Sequence, residues 1–192
     1  TVEEKAIIRP RYLDDELIRV PSMALERARM ELGHMGELTD AMLTKVRPAF
    51  GSRDLGALSQ QHDQVLVLRD AVLAYLQHVG RAELSDAEAD EHARLVAATG
   101  EIENMSAALS YELIPLAQTL KEGNTTPSKE TTDLLERLFQ TIQASAHSAL
   151  RALVEHDEQA AQTVVANRDA ILKLTSEFHR QQAVRLAGNE PD

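Results

Sequence analysis

The stretch SDAEADEHARLVAATGEIENMSAALSYELIPL, residues 85–116, decides the fold class. It opens on Ser85, with Glu88 three residues later. At that spacing the hydroxyl and the carboxylate each accept a backbone N–H that the start of a helix leaves free. Leu95, Thr99, Ile102, Ser106, Leu109, Leu113, Leu116 and Leu120 then recur at alternating steps of four and three. That is the seam of an α-helix lying along other helices. Pro115 sits inside the pattern. It lacks an N–H and crowds the preceding turn, so a kink is expected just before it. Gly123 and Asn124 end the segment.

The same period extends outward on both sides. Leu25, Ala28, Leu32, Met35, Thr39, Met42 and Val46 give a first helix, with Ser22 as its N-cap and Pro48 and Gly51 as its stop. A second helix runs from about Arg53 to Val79 through Leu58, Gln61, Val65, Leu68, Val72 and Tyr75. Leu66, Leu73 and Leu76 widen its stripe toward burial on two sides. Gly80 is placed to take the left-handed conformation behind it. A fourth helix follows Thr126-Pro127 and turns Leu135, Leu138, Ile142, Ala146, Ala149 and Leu153 inward. A fifth is capped by Asp157 and carries Ala160, Val164, Asn167, Ile171, Leu174, Phe178 and Val184 to Gly188. The expected spans are 22–48, 53–79, 86–122, 128–154 and 157–187. The chain therefore reads as an all-α antiparallel bundle with no β-sheet. Residues 22–123 form one three-helix unit, and residues 124–192 a second unit that lacks its third helix. Residues 1–21 hold Pro10 and Pro21 and no period. They read as an extended arm whose Tyr12, Leu13, Leu17 and Ile18 can lie on a neighbour.

Composition narrows the function classes. Aromatics are 3% of 192 residues, and eight Gly and six Pro leave little room for a turn-rich β fold. With no Cys there is no disulfide framework, thiolate metal site or thiol nucleophile. A net charge of −11 repels phosphate backbones, so nucleic acid is not an expected partner. No apolar run approaches the roughly 18 residues of a membrane span, and no signal peptide is expected.

Few residues invite chemistry. Glu31 and His34 make one Glu-x-x-His pair, whereas a di-iron bundle needs two such pairs and two further Glu. No second pair follows, so this one reads as part of a partly exposed polar face. Asp63, beside His62, reads as solvated, with metal ligation as the alternative. Histidines 78, 92, 147, 156 and 179 fall on polar faces or near helix ends. The acid run from Glu83 through Asp86, Glu88, Asp90 and Glu91 to Glu101 and Glu103 can attract a divalent or transition metal, but such runs are usually solvated faces. Thr99, Ser106 and Asn167 are polar residues on seams, where bonding back to the helix is the simplest role. No Gly-rich phosphate loop and no nucleophile elbow is present.

Four local patterns, taken in order, resemble the PhoU family in the form found as a cytoplasmic extension of bacterial sodium/phosphate cotransporters. They are Arg11-Tyr12-Leu13-Asp14 followed by Pro21-Ser22-Met23-Ala24-Leu25; Arg29 through Leu38; His62-Asp63-Gln64-Val65 with Ala71 through Leu76; and Gly100-Glu101-Ile102-Glu103-Asn104-Met105. The resemblance covers most of the chain. The first pattern resembles the segment that leads from the transporter's last membrane helix into that domain. The resemblance implies two three-helix bundles, no enzymatic activity, and action through protein–protein contact on a membrane transport domain. It also implies a place at the inner face of the bacterial cell membrane. Some members bind metal through Glu/Asp-x-x-x-Asp; here Glu103 matches the first acid and Ala107 stands in place of the second. Asp63 and Asp169 match acids of the two second helices, and Glu37 an acid of the first. Glu37, Asp63, Glu103 and Asp169 are therefore the metal-ligand candidates. No multinuclear cluster is expected on the third helix, and no cofactor is expected, a divalent or transition metal on those four residues being the alternative. A free-standing scaffold or dimerisation module is the alternative function, and a metal-carboxylate enzyme a third. The uncovered seams of the last two helices favour a homodimer over packing on the first three helices or under the arm.

Overall fold

The structure, a computed structural model, describes residues 8–49, 56–113, 115, 119 and 128–187. Among these there are five long helices and no strand. They are α1 (Pro21–Ala49), α2 (Gly56–Val79), α3 (Asp86–Ala108), α4 (Lys129–Glu155) and α5 (Glu158–Ala187). The chain divides into two compact units, Thr1–Thr119 and Leu120–Asp192.

In the first unit α1, α2 and α3 pack against one another. Leu25, Ala28, Leu32, Met35, Thr39 and Met42 of α1 are all buried, as their spacing requires. So are Val65, Leu68, Val72, Tyr75, Leu76 and Val79 of α2, and Leu95, Thr99, Ile102, Ser106 and Leu109 of the third helical segment. Leu73, by contrast, is exposed, so the α2 stripe is narrower than its sequence suggests. Polar contacts fix the register. Lys45 Nζ donates to Gln61 at 3.0 Å across α1 and α2. His62 meets Ser106, and His92 meets the Leu76 carbonyl, so α2 and α3 run antiparallel. The buried guanidinium of Arg29 on α1 pairs with Glu91 on α3 and with Glu26 on its own helix. Arg94 reaches Glu91 at 3.1 Å.

Several local expectations are corrected. The N-cap of α1 is not Ser22. The Met23 and Ala24 N–H groups both donate to the Val20 carbonyl, so Pro21 is the first helical residue. There its missing N–H costs nothing. Gly80 is not left-handed; its N–H continues the helix to the Leu76 carbonyl at 2.9 Å. Its small size serves a close approach instead. A Cβ at Gly80 would lie 3.1 Å from His92 Nε2, which bonds the same Leu76 carbonyl at 2.8 Å. The capping box stands as read, with Ser85 N donating to Glu88 Oε2 at 2.9 Å and Glu88 N to Ser85 Oγ. The Ser85 N–H and then the Ser85 hydroxyl, both donating to the Glu88 carboxylate, hold that carboxyl below its ordinary value. Just before Pro115 the helix widens into a π-turn, Leu109–Leu113, where a kink was expected. The wider turn is a known way to absorb a disrupted ladder.

In the second unit, α4 and α5 are joined by His156 and Asp157 alone and form an antiparallel hairpin. His156 takes the left-handed conformation (φ 53°), which lets the chain reverse within two residues. Asp157 caps α5 by accepting from the Ala160 N–H at 2.9 Å. The cap of α4 is Ser128, which accepts from Thr131 N at 3.3 Å, rather than Thr126. The buried line of α4 runs through Thr131 and Leu134; Leu135 and Ala149 are exposed, not inward, and so is Val184 on α5. A hairpin alone offers each helix one neighbour, so its line of contact is narrow. The expected signals at Arg53, Gly51, Leu116, Leu120, Gly123, Asn124, Thr126-Pro127 and Gly188 lie outside the described residues.

Candidate functional site

The most constrained polar arrangement lies where the N-terminal segment meets the three-helix unit. Residues 8–20 run against α1 and α2 and include a turn of 3-10 helix, Asp15–Arg19, within the arm that the sequence suggests is extended. Asp14 caps that turn by accepting from Glu16 N at 3.0 Å. Tyr12, Leu13, Leu17 and Ile18 are each half-buried. Two side chains hold the segment. Glu31 Oε2 accepts the backbone N–H groups of Arg11, at 2.7 Å, and Tyr12, at 2.8 Å. Tyr75, on α2, donates its hydroxyl to the Asp14 carbonyl at 2.9 Å. Burial raises the Tyr75 pKa, which keeps the hydroxyl a donor.

Glu31 is fully buried, and its second oxygen takes the Nδ1–H of His34, 3% exposed, at 2.7 Å. The pair is therefore not the partly exposed polar face that the sequence favoured. A carboxylate removed from water needs donors for its lone pairs. Here two come from the arm and one from the ring a turn away. His34 Nε2 is buried without a hydrogen bond among the described residues, and the ring proton that Glu31 accepts sits on Nδ1. The arrangement is a latch: an otherwise costly carboxylate is satisfied only while the arm is in place.

A second buried histidine lies at the π-turn. Ser106 Oγ donates to the Glu103 carbonyl at 2.9 Å, so it must accept from His62 Nδ1–H, also at 2.9 Å. The Tyr111 ring meets His62 edge-on, with centroids 5.0 Å apart, while Tyr111 itself is 66% exposed. His62 is thus a core residue, and the adjacent Asp63 points to solvent.

The metal-ligand candidates are dispersed. Glu37, Asp63 and Asp169 are exposed, and Asp169 belongs to α5 in the second unit. Glu103 is half-buried and faces Arg69 Nη1 at 3.7 Å. Among the described residues no three His, Asp or Glu side chains stand together in a way that could hold a metal ion. Because Glu103 is engaged by Arg69, restoring the acid pair with Ala107→Asp is expected to leave metal affinity unchanged. Titration of the variant with Mn²⁺ or Zn²⁺ by calorimetry checks this. Stoichiometric binding that the parent chain lacks would contradict it.

The latch was only half legible. Ala24, Ala28, Glu31 and Met35 recur at steps of four, three and four, a second seam beside the first, and all four are buried. That spacing marks Glu31 as inward. Nothing in the sequence identifies Tyr75 as a donor to the arm, because its partner is a backbone carbonyl sixty-one residues away. No described helix is long and apolar enough to cross a membrane. Comparison with family models, with curated proteins and with solved structures finds no match.

Proposed function

We propose that this chain is a non-catalytic, PhoU-like accessory domain. In this reading it regulates a sodium-dependent phosphate transporter from the cytoplasmic face of the bacterial membrane, through contact with the transport domain. The observation that carries the reading is the latch. The arm lies where the resemblance puts the connection to the membrane domain, and Glu31 and Tyr75 tie its backbone to α1 and α2. A connection fixed at three backbone groups transmits a displacement of the bundle, whereas a loose linker would absorb it. Coupling of this kind is a free-energy difference between two arm positions and acts equally in both directions.

The test is sodium-dependent phosphate uptake in bacterial cells that carry the encoding gene, either intact or with Glu31→Ala, at matched membrane levels. Releasing the arm is expected to change uptake by about fivefold or more, the low end of such couplings. Equal uptake in the two strains and in one lacking residues 22–187 would overturn the reading in favour of a scaffold unrelated to phosphate.

A further inference from the structure

The α4–α5 hairpin buries little for its length. Of its apolar side chains only Leu134, Ala160 and Leu174 are buried among the described residues. Beside this line each helix carries a second stripe spaced by seven residues: Leu135, Ile142 and Ala149 on α4, and Val165 and Leu172 on α5. Leu135 is 41% exposed, Val165 69% and Leu172 54%. A seven-residue apolar repeat keeps one side of a helix against a partner helix. Two helices of 27 and 30 residues form half of a four-helix bundle.

Charge indicates what completes it. The chain carries −11, but residues 128–187 hold seven Lys and Arg against eight Asp and Glu, a net of −1. A second copy of this hairpin can approach without the repulsion that the rest of the chain would bring. The charge is also polarised. At the connector end Arg151, Glu155, Asp157 and Glu158 sum to −2. At the open end, residues 128–137 sum to −1 and residues 173–187 to +2, giving +1. Residues 138–150 and 159–167 between them hold no Asp, Glu, Lys or Arg. Head-to-head pairing would set −2 against −2, whereas head-to-tail pairing sets −2 against +1 at both ends.

We infer that the chain dimerises through the α4–α5 hairpins, as a twofold, head-to-tail four-helix bundle with its axis near Ile142 and Leu172, the midpoints of the two helices. On the axis the Leu172 side chains of two copies meet. The Val165 side chains, seven residues away, are then separated by about 21 Å along the bundle, twice seven rises of 1.5 Å. The native chain has no cysteine, so single replacements report directly. Light scattering at micromolar concentration is expected to give twice the chain mass. On mild oxidation Leu172→Cys is expected to yield a covalent dimer and Val165→Cys none. A monomer mass, meaning that some other part of the chain covers the stripe, would overturn the inference. So would cross-linking of Val165→Cys in preference to, or equally with, Leu172→Cys. A dimer that persists in the helical Leu172→Asp variant would also contradict it.

Discussion

Replacing Glu31 with alanine is expected to destabilise the first unit by about 3 kcal/mol and to free the arm. The carboxylate is fully buried and serves three donors: the Arg11 and Tyr12 N–H groups and the His34 ring. A hydrogen bond to a charged group contributes about 1.5–3 kcal/mol, and a buried donor left alone costs about 1–3 kcal/mol. The three do not simply add, because the arm can leave the bundle and return its two N–H groups to water. The expected loss is therefore close to the free energy of docking the arm, plus the unpaired His34. Urea unfolding reads that loss. Trypsin reads the release of the arm, through faster cleavage after Arg11 and Arg19, both exposed. Glu31→Gln should fall between the two chains, since the amide keeps the volume but sacrifices the charge. An unchanged midpoint and unchanged cleavage in Glu31→Ala would show that the latch contributes nothing.

Glu91→Ala is expected to cost about 2 kcal/mol, for a different reason. Arg29 is 7% exposed and bridges α1 to α3 through Glu91. Removing the acid leaves a buried guanidinium with Glu26, whose side chain is half in water. Breaking one partner of a buried pair costs about 3–5 kcal/mol, and the surviving partner reduces that here. The pair also shapes the acid limb of stability. Burial opposes ionisation of Glu91, but Arg29 and then Arg94 outweigh it and hold the carboxyl below its ordinary value. A carboxyl lowered in the folded state binds its proton more readily when unfolded. Its contribution is therefore full above the unfolded pKa, about 4.3, and is lost as pH falls through the folded value. Glu91→Gln should flatten the fall in stability below pH about 4.3 while lowering the plateau above it. Replacing both members, Arg29→Met with Glu91→Met, should recover much of the single-variant loss, because no charge is then left buried. A double variant as unstable as Glu91→Ala would contradict the assignment.

These two sites show what a sequence discloses and what it withholds. The helices were legible because their seams are periodic: every described seam residue of α1 is buried as its spacing requires, and the Ser85–Glu88 and Asp157 caps stand as read. Errors came where one neighbour more or fewer changes which side is inside. On α4 the line moved from Leu135 to Leu134, because a hairpin has one contact face and a full bundle two. Gly80 was misread because close approach and a left-handed backbone both call for glycine, and only the position of His92 separates them. Glu31 and His34 were seen as a pair but placed in solvent, since their burial depends on the arm, whose partners are backbone amides with no side-chain signature. The metal-ligand candidates rest on residue-by-residue likeness, which says nothing of whether Glu37, Asp63 and Glu103 converge.

The most direct test of the latch is amide hydrogen exchange at Arg11 and Tyr12, compared with the exposed arm residue Arg9. Both amides donate to a carboxylate that water does not reach, so they are expected to exchange about a hundredfold or more slowly than an open chain, equivalent to about 2.8 kcal/mol of local stability. The protection should vanish in Glu31→Ala while the amides of Leu68 and Leu95 remain slow. Exchange of Arg11 and Tyr12 at open-chain rates in the parent protein would contradict the account.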